Sequence, residues 1–153
     1  MVAIDTVYIH GTMRAVEIDL NSCLVFNTRM ASRAVTRRYD AVLRPYGITS
    51  AQFALMGQIK RFTGGTLSAL AERNGLDRTS LTRNLDVLER AGLIASVNAA
   101  KGNGRRCQLT PKGEVLIAEL APIWIEAQAE MRKLLGDAGF DSALKALRQL
   151  SRA

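Results

Sequence analysis

The stretch from residue 66 to residue 92 constrains the fold of this chain more than any other. Gly75 and Asp77 lie two positions apart, so a helix stop is followed at once by a residue that can accept the free amides of a new helix. Leucines then recur at helical spacing and define one buried stripe, formed by Leu81, Leu85 and Leu88. Gly92 closes this helix, so the pattern predicts a helix, a tight glycine turn and a second helix.

The outward faces of the second of these helices carry hydrogen-bonding side chains. In a helix-turn-helix the second helix lies in the major groove and its N-terminal residues reach the bases. Short polar and basic residues in the first two turns therefore favour DNA recognition, and the alternative is a solvated helix face. The candidate contacts are Arg78, Thr79, Ser80, Thr82, Arg83 and Asn84.

Two segments beside this unit fit contacts with the DNA backbone and the minor groove. Thr66 and Ser68 begin the preceding helix, where hydroxyls and free amides can bind a phosphate. Residues 93–97 and 105–109 are β-leaning and predict a hairpin. The tip of this hairpin has no acidic residue. It therefore suits the minor groove, whose negative potential attracts arginine. The basic residues of this predicted wing are Lys101, Arg105 and Arg106.

Long helices are predicted on both sides of this region. A first helix should occupy residues 19–46, before Gly47, and a capping box of Thr49 and Gln52 should start the next, from Ser50 to about Phe62. Thr110-Pro111 should start a long helix that is kinked at Pro122. Gly136 and Gly139 should separate that helix from a last amphipathic one.

Charge supports a polyanionic partner. The net charge is +7, and residues 48–110 hold nine basic and four acidic residues, whereas residues 111–153 hold six of each. A basic middle between nearly neutral ends favours a local contact with a polyanion, although a solvated face is the alternative.

Other classes of protein are disfavoured. No apolar run approaches the roughly 18 residues of a membrane span, and residues 1–20 contain no recognisable secretory signal, so a cytoplasmic protein is expected. Cys23 and Cys107 lack metal-site or disulfide spacing, and His10 is the sole histidine. We expect no cofactor, no metal and no enzymatic activity, because nucleotide loops and nucleophile–base pairs are missing.

Several motifs resemble the MarR family of transcriptional regulators. They are YGITSAQF at 46–53, DRTSLTRNLDVLERAGLI at 77–94, the basic glycine-rich segment, and LTPKG at 109–113. The resemblance implies a winged helix whose first and last helices intertwine with a second subunit, on a pseudo-palindromic site. It assigns Thr79, Ser80, Thr82, Arg83 and Asn84 to the recognition helix and Arg105 to the wing tip. The family's wing aspartate is replaced by Asn103.

The resulting fold class is mainly α with a small β-hairpin wing, a winged helix-turn-helix with dimerisation helices at both ends. Residues 1–47 form an N-terminal arm and dimerisation helix, 48–110 the DNA-binding lobe, and 111–153 the C-terminal dimerisation helices, with the family's domain at about 19–152. The expected function is a homodimeric, sequence-specific regulator, most often a repressor in this family. A sequence-independent architectural DNA protein is an alternative.

Regulation is suggested only by scattered residues. MarR-like proteins commonly release DNA when a small, often aromatic and anionic molecule binds. An effector could balance the stripe of Arg29, Arg33 and Arg37, as could acidic partners or solvent. Met30, Phe53 and Trp124 could line an effector pocket or pack in a core or dimer interface. Cys23 could make the protein redox-responsive, or it is a buried structural thiol.

Overall fold

The computed structural model describes residues 7–9, 12–14, 19–62, 66–98 and 105–152, without the side chains of the first two segments, Asn98 and Arg105. Two compact units make up the chain, Met1–Arg37 and Arg38–Ala153. The helices and strands are β1 Val7–Ile9, β2 Thr12–Arg14, α1 Leu24–Leu43, α2 Ser50–Arg61, α3 Leu67–Arg73, α4 Arg78–Arg90, β3 Ile94–Asn98, β4 Arg105–Leu109, α5 Pro111–Leu135 and α6 Asp137–Leu150. Among the described helices, none is long and apolar enough to cross a membrane.

The first unit contains a hairpin that the sequence analysis missed. β1 pairs antiparallel with β2, with Tyr8 opposite Met13. The β-branched residues Val7, Ile9 and Thr12 around Gly11 were the available signal. α1 begins five residues later than predicted, because Asp19 accepts a hydrogen bond from the amide of Asn21 (2.9 Å) in a turn before the helix.

Local capping explains where the helices of the second unit begin. Thr49 and Gln52 form the predicted capping box, in which the Thr49 hydroxyl accepts from the Gln52 amide and the Gln52 side chain accepts from the Thr49 amide. Thr66, Asp77 and Thr110 likewise cap α3, α4 and α5 through amides three residues ahead. All four N-caps were predicted, and each depends on residues within one turn of the chain.

The core of the second unit joins α2, α3, α4, α5 and the hairpin β3–β4, together with the end of α1. Leu81, Leu85 and Leu88 are each 1% exposed, which confirms the predicted leucine stripe. Ile48 is buried and Phe53 packs against the same cluster. The remaining buried residues are Leu43, Leu55, Met56, Ile59, Leu70, Leu93, Ile94, Cys107 and Leu120.

Two predictions about the C-terminal helices have different outcomes. Gly136, at φ 68°, separates α5 from α6, but Gly139 lies inside α6, so the prediction that it belongs to the break is wrong. A glycine costs about 1 kcal/mol in a helix interior, which the amphipathic pattern of α6 can overcome. Pro122 lies within α5, which continues through it, and the predicted kink stays a prediction.

Candidate nucleic-acid interface

α4 presents its polar residues on the surface opposite its buried leucines. Asp77 begins the helix, accepting from the Ser80 amide (2.8 Å) and the Ser80 hydroxyl (2.7 Å). These bonds, the amide bond first, lower the pKa of the Asp77 carboxyl. The first turn is therefore fixed by a charged acceptor, and the side chains that follow project from a defined start.

One shallow surface on α4 collects most of the predicted contacts. It is lined by Arg78, Thr79, Thr82, Arg83, Asp86 and Arg90. Four of these were predicted, whereas Asp86 and Arg90 extend the surface toward the C-terminus of the helix. The Nε of Arg90 donates to the Asp86 carbonyl (3.2 Å), which holds its guanidinium along the helix. Helical spacing of four residues was the signal for both additions.

Two predicted contacts are engaged within the helix. Ser80 is half-buried and bonded to Asp77, and the half-buried Asn84 donates from Nδ2 to the Ser80 carbonyl (2.9 Å). Thr82 remains exposed although its hydroxyl donates to the Arg78 carbonyl (2.9 Å). Thr79 and Arg83 are also exposed. Ser80 and Asn84 lie outside the shallow surface, so they are placed to support it.

The start of α3 is exposed at Thr66 and Ser68. The Thr66 hydroxyl oxygen accepts from the Ala69 amide (3.3 Å), so its hydrogen stays available for donation. A phosphate could accept from such hydroxyls and from the first amides of the helix.

The predicted wing is the hairpin β3–β4. Its register pairs Ser96 with Cys107, Val97 with Arg106 and Asn98 with Arg105. Arg106 is half-buried, and its Nε has no hydrogen-bond partner among the described residues. Lys101 lies outside the described residues, as does Asn103, and only the backbone of Arg105 is described. The hairpin itself is confirmed.

A contact between α4 and the wing escaped the sequence analysis. Glu89 is half-buried near the end of α4, and its Oε1 accepts from the Ser96 amide of β3 (3.1 Å). An acidic side chain seven residues before Ser96 carries no sequence signal for such a bond.

The base of the wing joins the end of α4 to the start of α5. The Leu93 amide donates to the Leu88 carbonyl (2.9 Å), and the Thr110 amide donates to the Leu93 carbonyl (3.1 Å). The Thr110 hydroxyl also donates to the Gly92 carbonyl (2.6 Å), and the Lys112 ammonium donates to the Ala91 carbonyl (2.9 Å). The carbonyls of Ala91, Gly92 and Leu93, which follow α4, thus all accept hydrogen bonds from residues at the start of α5.

The residues suggested for regulation fall in both units. Arg29, Met30 and Arg33 are exposed in Met1–Arg37, where Cys23 is half-buried immediately before α1. In Arg38–Ala153, Trp124 is 40% exposed and Phe53 is half-buried. Cys107 is buried, as expected of a small packed residue.

A groove of about 500 Å³ lies elsewhere in the second unit. Neither Phe53 nor Trp124 lines it; its walls are Tyr46, Gly47, Ile48, Ala91, Leu93, Pro111, Lys112, Val115, Leu116 and Glu119. Among the described residues no cluster of His, Cys, Asp or Glu that could hold a metal is found.

Known proteins resemble this chain in fold and, to a lesser degree, in sequence. The MarR family model matches residues 46–106, which cover α2 to the start of β4. The M. tuberculosis transcriptional regulator MosR, solved in complex with DNA, is 34% identical, with 86% of this chain and 95% of that chain covered and a TM-score of 0.76.

Two more distant structures agree in fold. The S. aureus MepR–DNA complex is 21% identical, with 85% of this chain and 98% of that chain covered and a TM-score of 0.73. The transcriptional repressor CouR bound to p-coumaroyl-CoA is 24% identical, with 87% of this chain and 94% of that chain covered and a TM-score of 0.76. The helix-turn-helix geometry, the family match and the identity to MosR together place this chain in the MarR family of DNA-binding transcriptional regulators.

Proposed function

We propose that the chain is a cytoplasmic repressor that binds a pseudo-palindromic operator as a homodimer and is released by a small-molecule effector. The observation that carries the DNA-binding part is the two-sided character of α4. Its leucines are almost fully buried while Arg78, Thr79, Thr82 and Arg83 share one exposed surface. A helix whose apolar side is fixed in the core and whose outer side is polar is suited to the major groove.

The side chains of this surface differ in what they can read. Arg83 is exposed and can donate two parallel hydrogen bonds to guanine O6 and N7. Thr79 and Thr82 offer a hydroxyl oxygen and a methyl group, which suit a base edge or a thymine methyl. Arg78, at the first position of α4, is proposed to contact a phosphate or a base. Ser80 and Asn84 support the first two turns and retain acceptor oxygens.

The remaining proposed contacts fix the position of the protein on DNA. Thr66 and Ser68 bind a backbone phosphate through hydroxyls and the α3 amides. Lys101, Arg105 and Arg106 belong to a wing that follows the minor groove. Together with α4 they give one lobe three separate contacts with a half-site.

Homodimerisation is supported by the apolar residues that the helices leave uncovered. In the second unit these lie on α5 and α6 and include Ile125 (60% exposed), Leu134 (59%) and Leu147 (53%). In the first unit, α1 exposes Leu24, Val25 and Phe26. Exposed apolar side chains at this density favour a protein partner. A second copy would place two recognition helices about 34–36 Å apart, one turn of DNA.

Two sets of residues are proposed for effector binding: Arg29, Met30 and Arg33 in the first unit, and Phe53 and Trp124 in the second. Three neighbouring arginines on one helix stripe favour an anionic group, and Met30 and Trp124 offer partly exposed apolar surface. CouR was solved with p-coumaroyl-CoA, an aromatic and anionic molecule. The groove beside Val115 and Lys112 is a second place for an apolar ligand.

A fluorescence-anisotropy titration tests the proposal. Wild-type protein is titrated against its own upstream intergenic duplex and a scrambled duplex of equal length, at two salt concentrations. Arg83→Ala should weaken binding to the upstream duplex by about tenfold, since one bidentate base contact contributes about 1–3 kcal/mol of discrimination. Arg148→Ala removes the same charge from an exposed site on α6 and serves as the control.

The outcomes separate the alternatives. Sequence preference that is lost in Arg83→Ala and kept in Arg148→Ala supports a specific regulator. Equal, salt-dependent binding to both duplexes points to an architectural DNA protein instead. Light scattering of the free protein should give twice the chain mass, and a monomer at micromolar concentration contradicts the dimer.

A further inference from the structure

Glu89 links the recognition helix to the wing. Its carboxylate accepts from the amide of Ser96, which lies in the middle of β3. We infer that Glu89 is a positioning residue that holds the wing at the level where it meets the minor groove. The inference rests on the proposed DNA binding and adds a residue that touches no base.

The bond completes an anchor on both strands of the hairpin. Ser96 pairs with Cys107, which is 7% exposed and packs in the core from β4. β3 and β4 form a two-stranded sheet, so each strand has an edge whose alternate amides face away from the ladder. Glu89 satisfies one of these amides with a charged acceptor, which makes a stronger bond than a neutral one. The hairpin is therefore held on β4 by packing and on β3 by Glu89.

The position of the anchor determines how far the wing can swing. The base of the hairpin is fixed at Leu93, five residues before Asn98, whereas Ser96 is only two residues before it. At about 3.3 Å per residue these lever arms are roughly 16 Å and 7 Å. Cys107 keeps β4 packed in the core without Glu89, so the bond limits the swing of β3 about its ladder with β4, and the end of β3 moves farther when the bond is lost. Arg105 is paired with Asn98 and moves with it.

If Glu89 acted only through its charge, removing it would change DNA affinity in the direction opposite to that expected from positioning. Glu89 is one of four acidic residues against nine basic ones in residues 48–110. Its removal makes the lobe more basic, and extra positive charge tightens DNA binding without regard to sequence. Positioning instead predicts weaker and less selective binding, so the sign of the change distinguishes the two.

The test measures how much the minor groove contributes to DNA affinity. Wild-type protein selects its duplex from a random-sequence pool, and a second duplex carries diaminopurine in place of adenine. This base adds an amino group in the minor groove and leaves the adenine acceptor and donor in the major groove. The ratio of the two affinities measures the contribution of the wing. The variants are Glu89→Ala, Glu89→Gln, which keeps the acceptor oxygen, and the control Glu72→Ala, which removes the same charge from exposed α3.

Glu89→Ala should bind the selected duplex about tenfold more weakly, the worth of one groove contact, and its affinity ratio should approach one. Glu89→Gln and Glu72→Ala should keep the wild-type ratio. If Glu89→Ala loses its helical circular dichroism, Ser96→Pro is measured in its place, because it removes the donor from an edge strand, where proline is tolerated.

Two results overturn the inference, and they are distinguishable. An unchanged ratio in the folded variant, with wild-type selectivity intact, refutes the positioning role alone. Wild-type protein that selects no duplex refutes the proposed function as well.

Discussion

Replacing Gly113 by alanine places a methyl group where the chain has no room for one. A Cβ at this position would lie less than 3.0 Å from the carbonyl oxygen of Leu93 and 3.0 Å from its carbon, and both are backbone atoms. That carbonyl accepts from the Thr110 amide, and the Gly113 amide donates to the Thr110 hydroxyl (3.1 Å). The methyl group can be accommodated only if the joint between the end of α4 and α5 opens.

The cost follows from these contacts. Forcing a methyl group into a packed site costs about 1–3 kcal/mol, and weakening two hydrogen bonds adds about 1 kcal/mol each. The better helix propensity of alanine offsets up to about 1 kcal/mol of this. We therefore expect Gly113→Ala to lower the free energy of unfolding by about 2–4 kcal/mol, which corresponds to roughly 5–15 °C in Tm for a chain of this size.

Gly57→Ala is the matched control. Gly57 is exposed within α2, and a methyl group added there would meet no atom within 4 Å, so the same substitution should stabilise by about 0.5–1 kcal/mol. Urea unfolding followed by helical circular dichroism measures both variants, at one protein concentration because a dimer's stability depends on it. If Gly113→Ala is as stable as Gly57→Ala, the close approach to Leu93 is not a constraint and the reasoning fails.

Two further predictions concern helix caps. Thr49→Ala removes half of the capping box at α2 and should cost about 1 kcal/mol in urea unfolding; a change below about 0.3 kcal/mol would contradict the role assigned to this cap. Asp77 has a folded-state pKa below its ordinary value because the Ser80 amide and hydroxyl donate to its carboxylate. Its contribution to stability is complete above the unfolded-state pKa and is lost as the pH falls through the folded-state pKa. Asp77→Asn should therefore flatten the acid limb of a stability–pH curve, and an unchanged limb would exclude the cap as its source.

The elements that could be predicted from sequence are those encoded within one or two turns of chain. Thr49, Thr66, Asp77 and Thr110 each bond an amide three residues ahead, so residue type and spacing suffice to identify the helix starts. The leucine stripe of α4 follows from the helical period in the same way. The same period explains why four of the candidate contacts share one surface of α4, whereas their contacts with DNA stay a prediction.

The missed features depend on residues that are separated in sequence or on competing local effects. The bond from Ser96 to Glu89 depends on how a strand folds back along a helix, which no spacing rule specifies. Gly139 has the residue type of a helix break, but the apolar pattern of α6 continues through it, and Phe140 lies under the guanidinium of Arg132 (4.4 Å). β1 and β2 are three residues each, too short for an alternating pattern to be recognised.

Three variants distinguish effects on DNA binding from effects on folding, because each changes a different part of the lobe. Arg83 is exposed on α4 and does not belong to the core cluster, so Arg83→Ala should change affinity while leaving stability near wild type. Glu89→Ala should change the response to minor-groove substitution, and Gly113→Ala should chiefly change stability. If affinity in all three merely followed the fraction of folded protein, the DNA contacts assigned to α4 and the wing would have no independent support. If the three variants respond differently, the lobe contains a surface that reads the bases, a bond that positions the wing and a joint that maintains the fold.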